Sequence, residues 1–124
     1  MIKVLTGNEA AAYGAMLCRP KVICAYPITP QSRIAEQLAE FVSQGALDAK
    51  YVPVESEIAS LGYVIGASSG GVRVFTATAS LGLALMHEQL HLASGSRLPI
   101  VMCEVNRSLG VPGGLHAELK DTLS

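Results

Sequence analysis

Apolar positions along the chain switch repeatedly between helical spacing and short continuous runs. Thr6 and Glu9 stand at capping-box spacing ahead of the apolar stretch 10–18, predicting a first helix that starts near Gly7 and stops before Pro20. Residues 21–26 then form a short apolar run ended by Pro27-Ile28-Thr29-Pro30, the pattern of a buried strand running into a rigid turn. From Gln31, the residues Ile34, Leu38, Phe41 and Val42 recur at helical spacing as far as Gly45, and 51–54 reads as a second strand. Residues 58–68 are small and apolar, with Gly62 and Gly66 spaced for close packing, so this helix is expected to be buried on most sides. Gly70-Gly71 ends it, 73–77 is β-branched and aromatic, 80–94 is helical in period, and 99–105 is a fourth strand.

Near-continuous apolar strands alternating with helices predict an α/β fold, a parallel sheet with helices on both faces and right-handed crossovers. Ligands of such sheets collect outside the carboxyl ends of the strands. Those ends are the loops 27–30, 55–57, 78–80 and 106–112, where the polar residues gather. That coincidence makes the loops the candidate site.

Bulk properties narrow the classes. The 124 residues suit one domain, and 50% apolar against 15% charged residues predicts a surface that is partly covered by a partner. A net charge of -1 gives no footprint for nucleic acid or an anionic membrane. No secretory signal and no apolar run of membrane-spanning length is present, and Cys18, Cys24 and Cys103 contain no C-x-x-C pair. The expectation is a cytoplasmic protein with buried thiols that carries no iron–sulfur cluster itself.

Several motifs point to other chemistry. His87-Glu88-Gln89-Leu90-His91 spells H-E-x-x-H on a predicted helix, the arrangement of a zinc metallopeptidase, but no His-x-x-Gly-x-x-His continuation follows, and Glu104 and Glu118 are the obvious downstream acids for a third ligand. The competing explanation is an ordinary helix surface. Thr78-Ala79-Ser80-Leu81-Gly82 sits between strand and helix as a serine-hydrolase nucleophile would, with His116 and Asp121 downstream. Bulky Thr78 argues against that sharp turn, and Ser80 reads more simply as a helix cap. The run 66–71 follows a helix and lacks a lysine, so it is a helix end rather than a phosphate loop. From the residues alone, Glu57 is equally a first-turn acid favoured by the helix dipole, Arg107 a solvated cation and Thr29 a turn former.

A set of motifs runs through the whole chain in order. It comprises Thr6-Gly7-Asn8-Glu9, Ala25-Tyr26-Pro27-Ile28-Thr29-Pro30, Val54-Glu55-Ser56-Glu57, Phe75-Thr76-Ala77-Thr78, Gly82-Leu83-Ala84-Leu85-Met86-His87-Glu88, Ala93-Ser94-Gly95, Arg97-Leu98-Pro99-Ile100-Val101 and Val105-Asn106-Arg107-Ser108-Leu109. With these the sequence resembles the alpha subunit of the pyruvate:ferredoxin oxidoreductase and 2-oxoacid:ferredoxin oxidoreductase family. The resemblance implies the N-terminal portion of a pyrimidine-type thiamine diphosphate-binding domain over 1–124, a fragment or split subunit whose sheet another chain completes. It implies CoA-dependent oxidative decarboxylation of a 2-oxoacid, pyruvate or a relative, with electrons passed to ferredoxin. Thiamine diphosphate would be shared with a partner, and Mg2+ and iron–sulfur clusters would lie on beta, gamma and delta-type subunits, with no metal on this chain. The chain would be inactive alone. An alternative is a non-catalytic subunit that only completes the complex.

By position, Glu57 resembles the glutamate that hydrogen-bonds the aminopyrimidine ring, with Pro27 and Ser80 also facing the cofactor. Thr29 and Arg107 resemble the pair that binds the substrate carboxylate, a fit expected of a hydroxyl beside an arginine fork. Two segments depart from the family pattern: Ser80-Leu81-Gly82 where relatives commonly have Ser-Gln-Gly, and Glu118-Leu119-Lys120-Asp121 where they commonly have acidic-His-x-Asp. Both bear on substrate choice. So does Arg33 beside Gln31 and Ser32, an added cation near Thr29 suited to a second carboxylate.

Overall fold

The structure, a computed structural model, describes residues 2–109 and 120–123. Its elements alternate as the hydrophobic pattern predicts: α1 (Gly7–Leu17), β1 (Val22–Cys24), α2 (Ser32–Ser43), β2 (Lys50–Val52), α3 (Glu57–Ser69), β3 (Val74–Thr78), α4 (Leu81–Gly95) and β4 (Ile100–Glu104). The capping box forms: Thr6 Oγ1 accepts from the Glu9 N–H at 3.3 Å, and the Thr6 N–H donates to Glu9 Oε2 at 2.9 Å. α3 stops where Gly70 and Gly71 follow, and Gly71 takes the left-handed conformation at φ 86°. β1 and β2 are shorter than their apolar runs. Pro27 and Pro53 lie just beyond them, and a residue without an N–H cannot extend a ladder.

The strands form one parallel sheet in the order β2-β1-β3-β4. Ile23 pairs with Tyr51 on one side and Phe75 on the other, and Phe75 pairs in turn with Val101. Alternate residues then divide between the faces. Ile23, Phe75 and Ala77 pack with Ala12 and Ala15 of α1 and with Ile34, Leu38 and Phe41 of α2. Cys24 and Val74 pack on the opposite face with Leu61 and Val64 of α3 and Met86 of α4. The expected two-face cover is present.

Three expectations need correction. α3 is buried on one face only, through Glu57, Ser60, Leu61, Val64 and Ser68, while Ile58 and Tyr63 stay exposed. A Cβ at Gly62 would approach Gln89 Nε2 at 3.2 Å, but nothing lies within 4 Å of one at Gly66, so only the first glycine serves close packing. Cys18 is exposed rather than buried, because it caps the end of α1, whereas Cys24 lies in the core and Cys103 is half-buried. Burial, with the charge of Glu55, pushes the Cys24 thiol up to about 11, so it remains protonated and inert.

β1 leads to β2 on one side of the sheet and β3 leads to β4 on the other, so the chain reverses direction between β1 and β3. The loops leaving these two neighbouring strands frame the crevice where such folds bind ligands. Leu81, Leu85 and Leu92 of α4 and Val101 of the edge strand β4 remain exposed, in keeping with an apolar surface suited to a partner. Among the described residues no helix is long and apolar enough to cross a membrane.

Replacing Leu38, fully buried between α2 and the sheet, by alanine should lower stability by about 2–5 kcal/mol, measured by urea denaturation. A loss under about 0.5 kcal/mol would contradict this account of the core.

Candidate functional site

Glu57 opens α3. Ser56 caps that helix by accepting from the Ala59 N–H at 3.1 Å, which places the Glu57 carboxylate at the positive end of the dipole. Glu57 is 8% exposed, and among the described residues its carboxylate has no hydrogen-bonding or ionic partner. Glu57 is thus a first-turn acid, but a largely buried one rather than an exposed one. Gly82, in the first turn of α4, lies against it. A Cβ there would stand 2.3 Å from Thr78 Oγ1, 2.9 Å from Glu57 Cγ and 3.1 Å from Glu57 Oε1. Only glycine lets the two helix N-termini meet with the carboxylate between them. Thr78 Oγ1 is itself buried without a partner. The sequence signal for Gly82 was a poor helix former inside a first turn.

Ser80 occupies the turn between β3 and α4 at φ 51°, ψ -123°, a conformation that costs a non-glycine residue on the order of 1–3 kcal/mol. Its surroundings enforce it. The Ser80 N–H donates to both Glu104 Oε1 and Asp121 Oδ2 at 3.0 Å, and its hydroxyl donates to the Ser108 carbonyl at 2.7 Å. The expected helix cap is therefore absent: Ser80 makes no side-chain bond to α4. The hydroxyl is fully buried, with its proton committed to the Ser108 carbonyl. It has no base beside it for hydrolase chemistry among the described residues, and His116 lies outside them.

Arg107 and Thr29, 78 residues apart, come together: Arg107 Nη1 donates to the Thr29 carbonyl at 2.8 Å. Arg107 Nε is buried and has no partner among the described residues, so the side chain is no free surface cation. The Thr29 loop is held from below, where Gln31 Oε1 accepts from the Ile28 N–H at 3.3 Å and Asn8 Nδ2 donates to the Pro30 carbonyl at 2.8 Å. The Thr29–Pro30 peptide is cis. Pro27 and Thr29 are exposed at the crevice. Arg33 is half-exposed and lies 3.7 Å from Glu9 and 3.6 Å from Glu36, in ion pairs open to solvent.

The pair that sequence reading missed is Glu104 with Asp121. Asp121 Oδ2 accepts from the Ser80 and Arg107 N–H groups at 3.0 and 2.8 Å. Its Oδ1 accepts from Asn106 Nδ2 at 2.8 Å and from the Thr122 N–H at 3.0 Å. Burial opposes ionisation of Asp121, but the hydrogen bonds from Asn106 and Arg107, with those of Glu104 and Ser80, hold its carboxyl well below the usual range. Burial, then the hydrogen bond and charge of Asp121, push Glu104 up to about 8. At neutral pH the pair holds one proton, on Glu104.

The H-E-x-x-H helix brings His87 Nε2 within 3.3 Å of His91 Nε2, both rings exposed. No group of three His, Cys, Asp or Glu suited to a metal occurs among the described residues. Glu104 is committed to Ser80 and Asp121, and Glu118 lies outside the described residues.

The class defined so far is a doubly wound α/β domain with a carboxylate and an arginine at its switch point. Residues 13–123 match the family described as pyruvate flavodoxin/ferredoxin oxidoreductase, thiamine diphosphate-binding. The chain is 55% identical over 122 residues to ketoisovalerate oxidoreductase subunit VorA of Pyrococcus horikoshii, covering 98% of this chain and 31% of that one. It is 54% identical to pyruvate synthase subunit PorA of Methanocaldococcus jannaschii, covering 99% and 32%. Among solved structures it resembles the 2-oxoglutarate:ferredoxin oxidoreductase from Magnetococcus marinus, with 2-oxoglutarate, coenzyme A and succinyl-CoA bound, at TM-score 0.81 and 38% identity over 90% of this chain and 19% of that one. The chain belongs to this pyruvate flavodoxin/ferredoxin oxidoreductase family, in its thiamine diphosphate-binding domain. It spans under a third of the length of the curated relatives it matches.

The carboxyl pair sets a pH dependence. Glu104 is raised in the fold, so its contribution is complete below the unfolded value of 4.5 and is lost as pH rises through about 8. Asp121 is lowered, so its contribution is present above 3.8 and is lost in acid. Protection of the Ser80 and Arg107 amides against hydrogen exchange, corrected for intrinsic rates, should therefore fall above pH 8. In Glu104→Gln the alkaline fall should vanish; an identical fall in both proteins would contradict the shared proton.

Proposed function

We propose that this chain forms the N-terminal portion of the pyrimidine side of the active site in a 2-oxoacid:ferredoxin oxidoreductase alpha subunit. The observation that carries the reading is the Glu57 carboxylate, on a nearly buried residue, without a partner among the described residues and pressed against the Gly82 backbone. These residues fit a cofactor. Glu57 has an unused acceptor at a crevice, and the orphaned Thr78 hydroxyl beside it leaves the local polar groups unsatisfied by protein alone.

When bound, thiamine diphosphate supplies the electron sink for decarboxylation of the 2-oxoacid. Glu57 holds a proton between its carboxylate and a ring nitrogen of the aminopyrimidine, a task suited to a carboxyl withdrawn from water. Arg107, steadied on the Thr29 carbonyl, presents its remaining N–H groups to the substrate carboxylate, and the Thr29 hydroxyl adds a directional bond. Pro27 lines the loop. Mg2+ and the iron–sulfur clusters belong to beta, gamma and delta-type partners, CoA and ferredoxin are met in the assembled complex, and the chain alone is inactive.

Glu9 and Glu36 beside Arg33 offset part of its charge, which supports a 2-oxoacid with an uncharged side chain. The assembled complex should prefer pyruvate or 2-oxoisovalerate over 2-oxoglutarate by at least about tenfold in kcat/KM, and the reverse order would overturn that preference. Glu57→Gln should lower turnover of the complex by more than about a hundredfold with assembly intact, and near-normal turnover would remove Glu57 from the chemistry. Arg107→Ala should chiefly raise KM for the 2-oxoacid, and an unchanged kcat/KM would refute its role.

A further inference from the structure

We propose that Asp121 is a positioning residue for 2-oxoacid recognition, its carboxylate tying the Arg107 main chain and the Ser80 turn into one unit that delivers the Arg107 guanidinium to the Thr29 loop. The inference rests on the proposed role of Arg107.

Its basis is the direction of the hydrogen bonds. Asp121 is fully buried, yet it belongs to neither apolar cluster. Oδ2 joins the turn after β3 to the loop after β4, through Ser80 and Arg107. Oδ1 holds the side chain of Asn106, the residue before Arg107. The Ser80 hydroxyl closes the ring on the carbonyl of Ser108, the residue after Arg107. Arg107 is thus fixed at its own N–H and through both chain neighbours. Its guanidinium is fixed by the Thr29 carbonyl at Nη1, while Nε has no partner among the described residues. The aim of the side chain therefore comes from the main chain, and the main chain is set by a charged acceptor whose bonds are stronger than neutral ones.

Asp121→Asn keeps the shape but turns one oxygen into a donor, which faces N–H groups and breaks the bonds made there. The measurement is steady-state kinetics of the assembled complex, with thiamine diphosphate affinity and thermal melting on the same samples. KM for the 2-oxoacid should rise roughly tenfold, with saturated kcat within about threefold of the parent and cofactor affinity unchanged. In an Arg107→Ala background the same change should add no more than about twofold, since an effect exerted through Arg107 disappears with it. Asn106→Ala, a milder change, removes one donor from Oδ1 and should raise KM about two- to fivefold, covering the case in which Asp121→Asn fails to assemble. KM unchanged in these variants, or full additivity with Arg107→Ala, would overturn the proposal. If Arg107→Ala itself leaves KM unchanged, the role of Arg107 fails; if only Arg107→Ala raises it, the positioning role alone fails.

Discussion

The hydrogen bonds accepted by the Asp121 carboxylate hold together the crevice side of the sheet. A parallel sheet delivers its strand ends to one edge, but it does not dictate how the loops beyond them are arranged. Here a single buried carboxylate joins the turn after β3 to the loop after β4. The Ser80 backbone, in a conformation that costs energy, persists because two carboxyl groups and a carbonyl take its donors. One proton held on Glu104 lets two acids share that space.

A second constraint is steric. Gly82 brings the start of α4 onto Glu57 and Thr78 at a separation no side chain would permit. Glu57 thereby packs against the α4 backbone, and among the described residues its carboxylate has no hydrogen-bonding partner. The core behind the crevice is divided, with α1 and α2 covering one face and α3 and α4 the other. Leucines 81, 85 and 92 remain outside both clusters. Together with Val101 they leave an apolar surface that the described residues do not cover.

The fold was legible because local signals agreed. Thr6 and Glu9 announced the first helix, apolar runs located each strand, and Gly70-Gly71 marked the end of α3. Strand ends were misjudged where Pro27 and Pro53 stopped ladders inside apolar stretches. The candidate residues Glu57, Thr29 and Arg107 stood out through family motifs, and Thr29 and Arg107 do meet. What the sequence concealed depends on contacts distant in the chain. Asp121 reaches Ser80 across 41 residues, Glu9 reaches Arg33 from another helix, and the need for glycine at 82 arises only when α3 and α4 converge. Ser80 carried the sequence signature of a cap, but its hydroxyl found a stronger tertiary partner in Ser108. α3 looked uniformly apolar, and its outer face is exposed in the isolated chain.

The most direct test of the account is native mass spectrometry of the complex purified from its source, with thiamine diphosphate, iron and zinc quantified on the same sample. The account predicts this chain, or a longer one containing it, in an assembly with iron-rich subunits and stoichiometric thiamine diphosphate. A chain without partners, carrying stoichiometric zinc and no thiamine diphosphate, would contradict it and return attention to His87, Glu88 and His91.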